Sequence, residues 1–326
     1  MNADEGSSEH PANLPVARLK RVDAVDCARG VALIGMAIYH LSWDLADFGL
    51  APPMLPFMAP MRLLSHIVAS AFLATVGVSA ALAHRDGIRW PAFWRRIATI
   101  AAAAALVTGA SVIFAPGAGI FFGILHCIVV ASLIAAIFMS APPWASLVAG
   151  AAAIAAPLFL RSPLFDPPAL MWLGLGDALP DTLDWRPLLP WGGVVLIGLG
   201  IARLPAVMTA LTSPGRWRAA SPPSRTLCLA GRHSLAVYLV HQPVLIGVVY
   251  ALTAWGGLAH KADMSGFLSS CQSACVAGGS AASTCESSCR CVADVIARSG
   301  EADRLSTLDE TRKAELKRYV DACKAP

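Results

Sequence analysis

Five ionisable side chains recur along one face of the first apolar segment, at 23–46 and its immediate end. They are Asp26, Arg29, His40, Asp44 and Asp47. On an ideal helix, at ~100° per residue, all five fall within a stripe of roughly 60°. Ionisable side chains inside an apolar helix are costly, and they usually face a bundle interior or a wet cavity. The stripe therefore predicts that the first span borders a polar cavity.

His40 is the member of this stripe best suited to chemistry. Imidazole titrates near neutral pH, so it can take a proton from an amine or hydroxyl, or accept an acyl group itself. Asp44, one turn further on, is placed to orient the ring. The alternatives are a histidine satisfied within a helix core and, for Asp26 and Arg29, a simple i,i+3 ion pair at the membrane surface.

Three further histidines lie in apolar segments. His66 and His126 are predicted at the same depth as His40, in the outer third, and we group them with it as candidate catalytic residues; a chance match in depth is the alternative. His241 is predicted near the inner third of the last span. Ser234 and Tyr238 share its helix face, at i and i+4.

Composition identifies the elements that must position these side chains. Of the 326 residues, 56% are hydrophobic and only 14% charged, against about 25% charged in soluble domains. This excludes a soluble enzyme, a disordered chain and a coiled coil, and it predicts an all-α polytopic helix bundle in a lipid bilayer. Residues 1–22 are polar, so a cleaved signal peptide is not expected there. Neither nucleotide-binding loops nor a basic-aromatic nucleic-acid patch is found in the sequence. About seven spans are predicted, at 23–46, 61–82, 96–115, 119–139, 142–160, 187–203 and 234–256.

Basic residues fix the predicted orientation. With the N-terminus inside, 13 of the 25 Lys and Arg residues lie on the cytoplasmic side and only 3 in outer loops; the other 9 are in the C-terminal tail. The positive-inside rule therefore gives a cytoplasmic tail at 1–22, a membrane domain at 23–258 and an extracytoplasmic domain at 259–326. In a bacterium this would be the inner membrane, with the C-terminus in the periplasm.

The C-terminal region carries six of the nine cysteines. Two Cys-x3-Cys pairs, Cys271/Cys275 and Cys285/Cys289, each put both thiols on one helix face. They favour a small helical domain stapled by disulfides in an oxidising compartment, acting as a stable cap or as a binding module. A zinc site is the weaker alternative, because zinc prefers Cys-x2-Cys spacing and often histidine, so no metal is expected. Cys27, Cys127 and Cys228 are interpreted as separate apolar packing residues.

The cysteine spacing resembles that of twin CX3C proteins, in which the outer and inner pairs bond. That resemblance implies Cys271–Cys289 and Cys275–Cys285, which leaves Cys291 with Cys323. Six cysteines allow 15 connectivities, so the spacing alone does not fix these pairings.

Several segments, in order, resemble the bacterial membrane domain related to heparan-alpha-glucosaminide N-acetyltransferase. They are RVDAVDCARGVALIGMAIYHLSWDL, SHIVASAFLATVGVSAALA, FGILHCIVVASLI, RPLLPWGGVVLIGLG and GRHSLAVYLVHQPVLIG. The resemblance covers about residues 19–256. The spacing of Arg29-Gly30 and His40 also resembles the wider transmembrane acyltransferase superfamily.

The resemblance implies transfer of an acyl group, typically acetyl, from cytosolic acyl-CoA to a glycan or amino sugar on the other side. His40 then takes the catalytic place. That match comes from the wider superfamily, because the luminal histidine segment of the heparan enzyme has no clear counterpart here. The residues expected near the donor are Arg29, Asp26, Arg95, Arg96, Arg232 and His241. A small-solute transporter or channel, and a non-catalytic scaffold displaying the Cys-rich tail, are the alternatives.

Overall fold

The protein is all-helical over the residues that the computed structural model describes. These are residues 21–52, 54–114, 119–178, 180, 182–256, 264–277, 279–299, 317, 318 and 323. The helices are α1 (Asp23–Asp47), α2 (Ala59–Ala83), α3 (Trp90–Phe114), α4 (Ile124–Phe138), α5 (Pro143–Phe159), α6 (Pro168–Met171), α7 (Leu188–Ala202), α8 (Pro205–Thr212), α9 (Pro222–Arg232), α10 (Ser234–Gly256), α11 (Met264–Ala277) and α12 (Ala282–Ser299).

Each of the seven predicted spans is helical, but the helices differ in length. Four of them, α1, α2, α3 and α10, are long and apolar enough to cross a membrane. The helices α7 and α8 reach that length only together, with a bend of 79° between them. At 1.5 Å per residue, α4 and α5 are about 23 and 26 Å long, short of the roughly 30 Å hydrocarbon layer. Length and composition therefore support four or five spans within the described residues.

The centre of the bundle is formed by α2, α4 and α7, with α5 packed on the other side of α7. Leu73, Cys127, Val195 and Leu199 are fully buried there. The helices α2 and α7 approach so closely that a side chain at Gly77 would collide with the carbonyl oxygen of Val195. Small residues at helix contacts are how membrane helices gain close packing without a hydrophobic driving force.

The first helix lies at the edge of this core and connects it to the last span. One side of α1 packs on α2, and other parts of it contact α9 and α10. The helix α10 has few buried side chains. The space that its loose packing leaves between α1, α2, α3 and α10 becomes the cavity described below.

Four disulfides are present in the described residues. In the C-terminal region α11 and α12 form a hairpin with the bonds Cys271–Cys289 and Cys275–Cys285, and Cys291 is bonded to Cys323. These are the pairings that the twin CX3C resemblance implies. The expectation that Cys27 and Cys228 are separate packing residues is wrong, because a disulfide joins them. Cys127 is a free, buried thiol, in agreement with a packing role.

Candidate functional site

A single cavity of about 2160 Å³ runs beside the polar face of α1. Its walls come from α1, α2, α3, α4 and α10 and from the loop that precedes α7. The α1 residues that line it extend from Val25 to Asp47, and every member of the predicted polar stripe is among them. The stripe therefore faces a cavity, as its helical periodicity predicts.

One end of the cavity is strongly basic. We call it the arginine-rich mouth, and it is lined by Arg21, Arg29, Arg85, Arg89, Arg95, Arg96 and Arg216. These side chains come together because the start of α1, the loop between α2 and α3, the start of α3 and the loop before α9 meet there. Guanidinium groups present paired N–H donors that match phosphate oxygens, so this mouth suits a polyphosphate ligand.

Arg29 reaches across the mouth from α1 to α2. Its guanidinium donates to the Ser79 hydroxyl and to the Thr75 carbonyl oxygen, and it lies 3.4 Å from the Asp26 carboxylate. Asp26 is buried and also accepts a hydrogen bond from Arg232, at 3.1 Å. The i,i+3 pair thus exists, but its arginine faces the cavity and not only the membrane surface.

Arg232 is placed differently from Arg95 and Arg96. Those two arginines line the arginine-rich mouth, whereas Arg232 is outside the cavity wall and pairs with Asp23, at 2.9 Å, and with Asp26. It therefore clamps α9 onto the start of α1. Its effect on a ligand in the mouth would act through Asp26.

His40 lies against a second histidine from the last span. The rings of His40 and His241 meet edge to face, with centroids 4.9 Å apart, and both line the cavity. The Nδ1 atom of His241 is 2.6 Å from the Tyr238 carbonyl oxygen, an acceptor, so Nδ1 carries the proton. Its Nε2 atom is buried without a hydrogen-bond partner. His241 thus presents a buried ring nitrogen without a hydrogen-bond partner inside the bundle.

Asp44 is hydrogen-bonded to α10 and not to His40. Its Oδ1 atom accepts from the Gln242 amide, at 2.7 Å, while the Asp44 Oδ2 and Gln242 Oε1 atoms are buried without partners. The side chain is 4% exposed. Asp44 therefore fixes α10, and with it His241, against α1. Two unused acceptor oxygens remain beside the histidine pair for a ligand that donates hydrogen bonds.

The loop before α7 closes the other end of the cavity with a mixed pair of charges. Asp184 accepts the first backbone N–H of α4, from Ile124 at 2.8 Å, and so caps that helix. Burial raises the pKa of Asp184, and the nearby Arg186 guanidinium opposes that shift. Arg186 itself binds the Ser65 hydroxyl and lies over the Trp191 ring, 5.2 Å from its centroid.

Two of the predicted catalytic histidines are not brought to this cavity. His66 is an exposed residue of α2: its Nδ1 atom is bonded to the Arg62 carbonyl oxygen, and its ring lies 5.6 Å from the Trp191 ring of α7, centroid to centroid. His126 accepts from the Gly123 backbone N–H through Nδ1, at 3.3 Å, and its Nε2 atom lies 3.4 Å from the Thr108 hydroxyl. Both of its ring nitrogens are thus used in capping α4 and joining it to α3.

The position of His241 also differs from the expected one. The sequence places it with the donor residues, whereas the structure sets it against His40. The only sequence feature that pointed to a polar site around His241 is its position on one face of α10 with Tyr238. No sequence pattern points to Gln242 or Arg186 as site residues, because the residues that they contact are distant in sequence. Among the described residues, no group of three or more His, Cys, Asp or Glu side chains is arranged to hold a metal ion.

When the chain is compared with known proteins, one family model matches it. The model of the heparan-alpha-glucosaminide N-acetyltransferase catalytic domain matches residues 21–243, about two thirds of the chain. None of the curated proteins and none of the solved structures gives a significant match. The matched range contains the arginine-rich mouth and the histidine pair, and it ends before the Cys-rich region.

Proposed function

The chain belongs to the family of the heparan-alpha-glucosaminide N-acetyltransferase catalytic domain, and from this premise we propose an integral-membrane acetyltransferase that uses cytosolic acetyl-CoA. One observation carries the proposal: a single cavity joins the arginine-rich mouth to the His40–His241 pair. A donor with a phosphorylated nucleotide and a long acylated arm fits such a cavity. Its phosphates would lie among the arginines, and its thioester near the histidines.

The distance between the two parts of the site supports this arrangement. Arg29 and His40 are eleven residues apart on α1, or about 16 Å along the helix axis. An extended pantetheine arm is the part of acyl-CoA that would cover this distance. Arg29, Arg95 and Arg96 are the proposed phosphate ligands, and the ion pair with Asp26 orients the Arg29 side chain.

In the proposed reaction His40 takes a proton from the amine or hydroxyl of the acceptor. The acceptor's lone pair attacks the thioester carbonyl, the carbon–sulfur bond breaks, and the CoA sulfur leaves and takes the proton held by His40. His241 is a positioning residue, because its ring packs edge to face against His40 and limits the orientation of that ring. Two routes remain: direct transfer, or prior acetylation of His40 itself.

The acceptor is proposed to be a glycan or amino sugar that enters from the end of the cavity bordered by Asp47, Asp184 and Arg186. With the positive-inside orientation, that end faces the periplasm and the arginine-rich mouth faces the cytosol of a bacterial cell. The Cys-rich domain then lies on the periplasmic side, where disulfides persist.

The decisive experiment is a CoA-release assay on purified protein with radiolabelled acetyl-CoA and a panel of amino sugars. Wild-type protein should release CoA in an acceptor-dependent manner, and His40→Ala should abolish release while the protein stays folded. His66→Ala is the matched control, because His66 lies outside the cavity, and it should retain activity. Near-normal turnover by His40→Ala would overturn the assignment.

The same assay separates the mechanisms and the rival functions. Label retained on the protein with acetyl-CoA alone, and lost in His40→Ala, would identify an acetyl-histidine route; absence of label with normal turnover would identify direct transfer. The size of the cavity also suits a solute pathway. Transport of an amino sugar into proteoliposomes without CoA release would favour a transporter, and neither activity would favour a scaffold.

A further inference from the structure

The arginine-rich mouth carries a disulfide that the proposed chemistry does not use. Cys27, in α1, is bonded to Cys228, in α9, across 201 residues of sequence. The two cysteines are 8% and 1% exposed. Cys27 directly follows Asp26, and Cys228 lies one helical turn before Arg232, so the bridge and the Asp26–Arg232 ion pair hold the same two helices together.

The location of this bridge distinguishes it from the three bridges of the C-terminal region. The segment 203–232 that contains Cys228 is rich in arginine and belongs to the proposed cytoplasmic side. Disulfides in a reducing cytosol are uncommon, and those that occur are usually transient or redox-sensing. The position of the Cys27–Cys228 bond therefore favours a reversible disulfide over a permanent structural one.

The contact between α1 and α9 accommodates the reduced state as well. The Ser224 carbonyl oxygen lies 3.3 Å from the Cys27 sulfur, and the Asp23 carbonyl oxygen lies 3.2 Å from the Cys228 sulfur. Each sulfur, once a thiol, would have an acceptor for its weak S–H donor already in place. Reduction therefore leaves neither thiol in an environment without a partner.

Backbone packing keeps the two sulfurs facing each other without the bond. A side chain at Gly30 would collide with the Leu227 carbonyl oxygen, and one at Gly231 would collide with the Asp26 carbonyl oxygen. These direct backbone contacts flank the cysteines on both sides. They set the register of α9 on α1, so a reduced pair remains positioned to bond again.

The position of α9 is coupled to the ligand-facing arginines through Asp26. The Asp26 carboxylate is shared between Arg232 on α9, at 3.1 Å, and Arg29 in the cavity wall, at 3.4 Å. The loop before α9 is tied to the same place, because the Ala219 backbone N–H donates to Asp23 and Arg216 of that loop lines the mouth. Loosening α9 would thus loosen one wall of the mouth.

We propose that Cys27 and Cys228 are a reversible redox site that exchanges with low-molecular-weight thiols and disulfides of the glutathione class. Both cysteines are buried, so exchange requires local opening of α9. In oxidation, the thiolate of Cys27 then attacks a sulfur of glutathione disulfide and releases one glutathione thiolate. The Cys228 thiolate then attacks the Cys27 sulfur of the mixed disulfide and releases the second. Two electrons pass to glutathione, and the two thiol protons go to the released thiolates.

The consequence for the mouth rests on the proposed acetyl-CoA function, whereas the redox exchange does not. The oxidised pair holds α9 on α1 and keeps Asp26 and Arg29 in their observed places. In the reduced pair α9 stays docked through the glycine contacts, but it opens locally from α1 more readily, because the bond is absent and α9 has few contacts outside α1. Oxidation is therefore expected to tighten the binding of CoA.

The exchange is tested by equilibrating the full-length protein in lipid nanodiscs with glutathione buffers of graded potential. Free thiols are alkylated, and linked peptides are identified by mass spectrometry. The Cys27–Cys228 peptide should appear and disappear across the series, while Cys127 remains a thiol and the three C-terminal bridges remain linked. Thiols that stay reduced in the most oxidising buffer, or a bridge that stays closed in the most reducing one, would overturn the proposal.

The coupling is tested by measuring CoA affinity in the two redox states. The oxidised wild type should bind CoA about fivefold more tightly or better, and Cys228→Ser and Cys27→Ser should each bind like the reduced wild type in either buffer. Cys127→Ser is the control and should respond like the wild type. Equal affinity in both states, with the bridge forming normally, would refute the coupling; no CoA binding in either state would refute the donor proposal instead.

Discussion

The ring of His241 lies edge to face against the ring of His40, at a centroid distance of 4.9 Å, although 201 residues separate them in the chain. His241 is fixed by its bond to the Tyr238 carbonyl oxygen and by the neighbouring bond between Gln242 and Asp44. The pair therefore joins the first and last spans at the middle of the cavity. The proposed chemistry depends on this contact.

His40 and His241 should act as one unit in catalysis. Each single substitution to alanine is expected to lower kcat by about 10²–10⁴-fold, and the double variant should be little worse than the more damaging single one. A residue that acts only by positioning a catalytic residue has little left to contribute once that residue is removed, so the losses do not add. Steady-state kinetics of the four proteins measures this; losses that multiply in the double variant would show independent roles.

Arg29→Ala should weaken the use of acetyl-CoA more than the use of the acceptor. Loss of one charge-assisted contact to phosphate is expected to raise the KM for acetyl-CoA about tenfold. Arg29→Lys should recover part of this loss, because the charge remains without the paired donors. Arg218→Ala is the control, since Arg218 is basic but does not line the cavity. An increase confined to the acceptor KM would argue against a donor role for Arg29.

His126→Ala should affect stability and not turnover. The substitution removes the acceptor for the Gly123 backbone N–H and the link to Thr108, and it should cost about 1 kcal/mol of stability. Thermal unfolding in detergent, followed by CoA release at a permissive temperature, measures the two effects separately. His126→Gln should be milder, because its amide oxygen can still accept from the helix start. A folded His126→Ala protein without activity would return His126 to the catalytic group.

The Asp44–Gln242 bond should be replaceable by its reversed pair. Gln242→Leu leaves a buried carboxylate without its donor and should destabilise the protein by about 1–3 kcal/mol. Gln242→Glu should be at least as damaging, because two carboxyl groups then face each other. Adding Asp44→Asn restores one donor and one acceptor, and the double variant should recover stability relative to Gln242→Glu. If unfolding midpoints show no recovery, the contact does not fix α10 on α1.

Fusion reporters should place the two ends of the chain on opposite sides of the membrane. An alkaline phosphatase fusion after Pro326 is expected to be active, and a fusion within 203–232 inactive, because the basic residues concentrate on the latter side. A reporter active only in the cytosol gives the complementary readout at both positions. The opposite pattern would reverse the proposed orientation and remove the cytosolic setting of the Cys27–Cys228 bridge.

Much of this architecture was determined by the sequence alone. Long apolar runs have few structural solutions in lipid, since each backbone polar group must be satisfied within a helix. The helical period then places Asp26, Arg29, His40 and Asp44 on one face of α1, whatever helices pack against that face. The match to known family segments likewise depended only on local sequence.

Only the tertiary structure decided which of these faces meet. Periodicity orients a side chain about one helix axis, but it carries no information on the partner helix or on relative depth. Periodicity and depth therefore do not distinguish His126 and His66 from His40, yet His126 caps α4 and His66 lies near Trp191, outside the cavity. The same limit hid the Cys27–Cys228 bond, the Asp44–Gln242 bond and the contact of His241 with His40. Each joins segments about two hundred residues apart, and such contacts are set by the packing of whole helices.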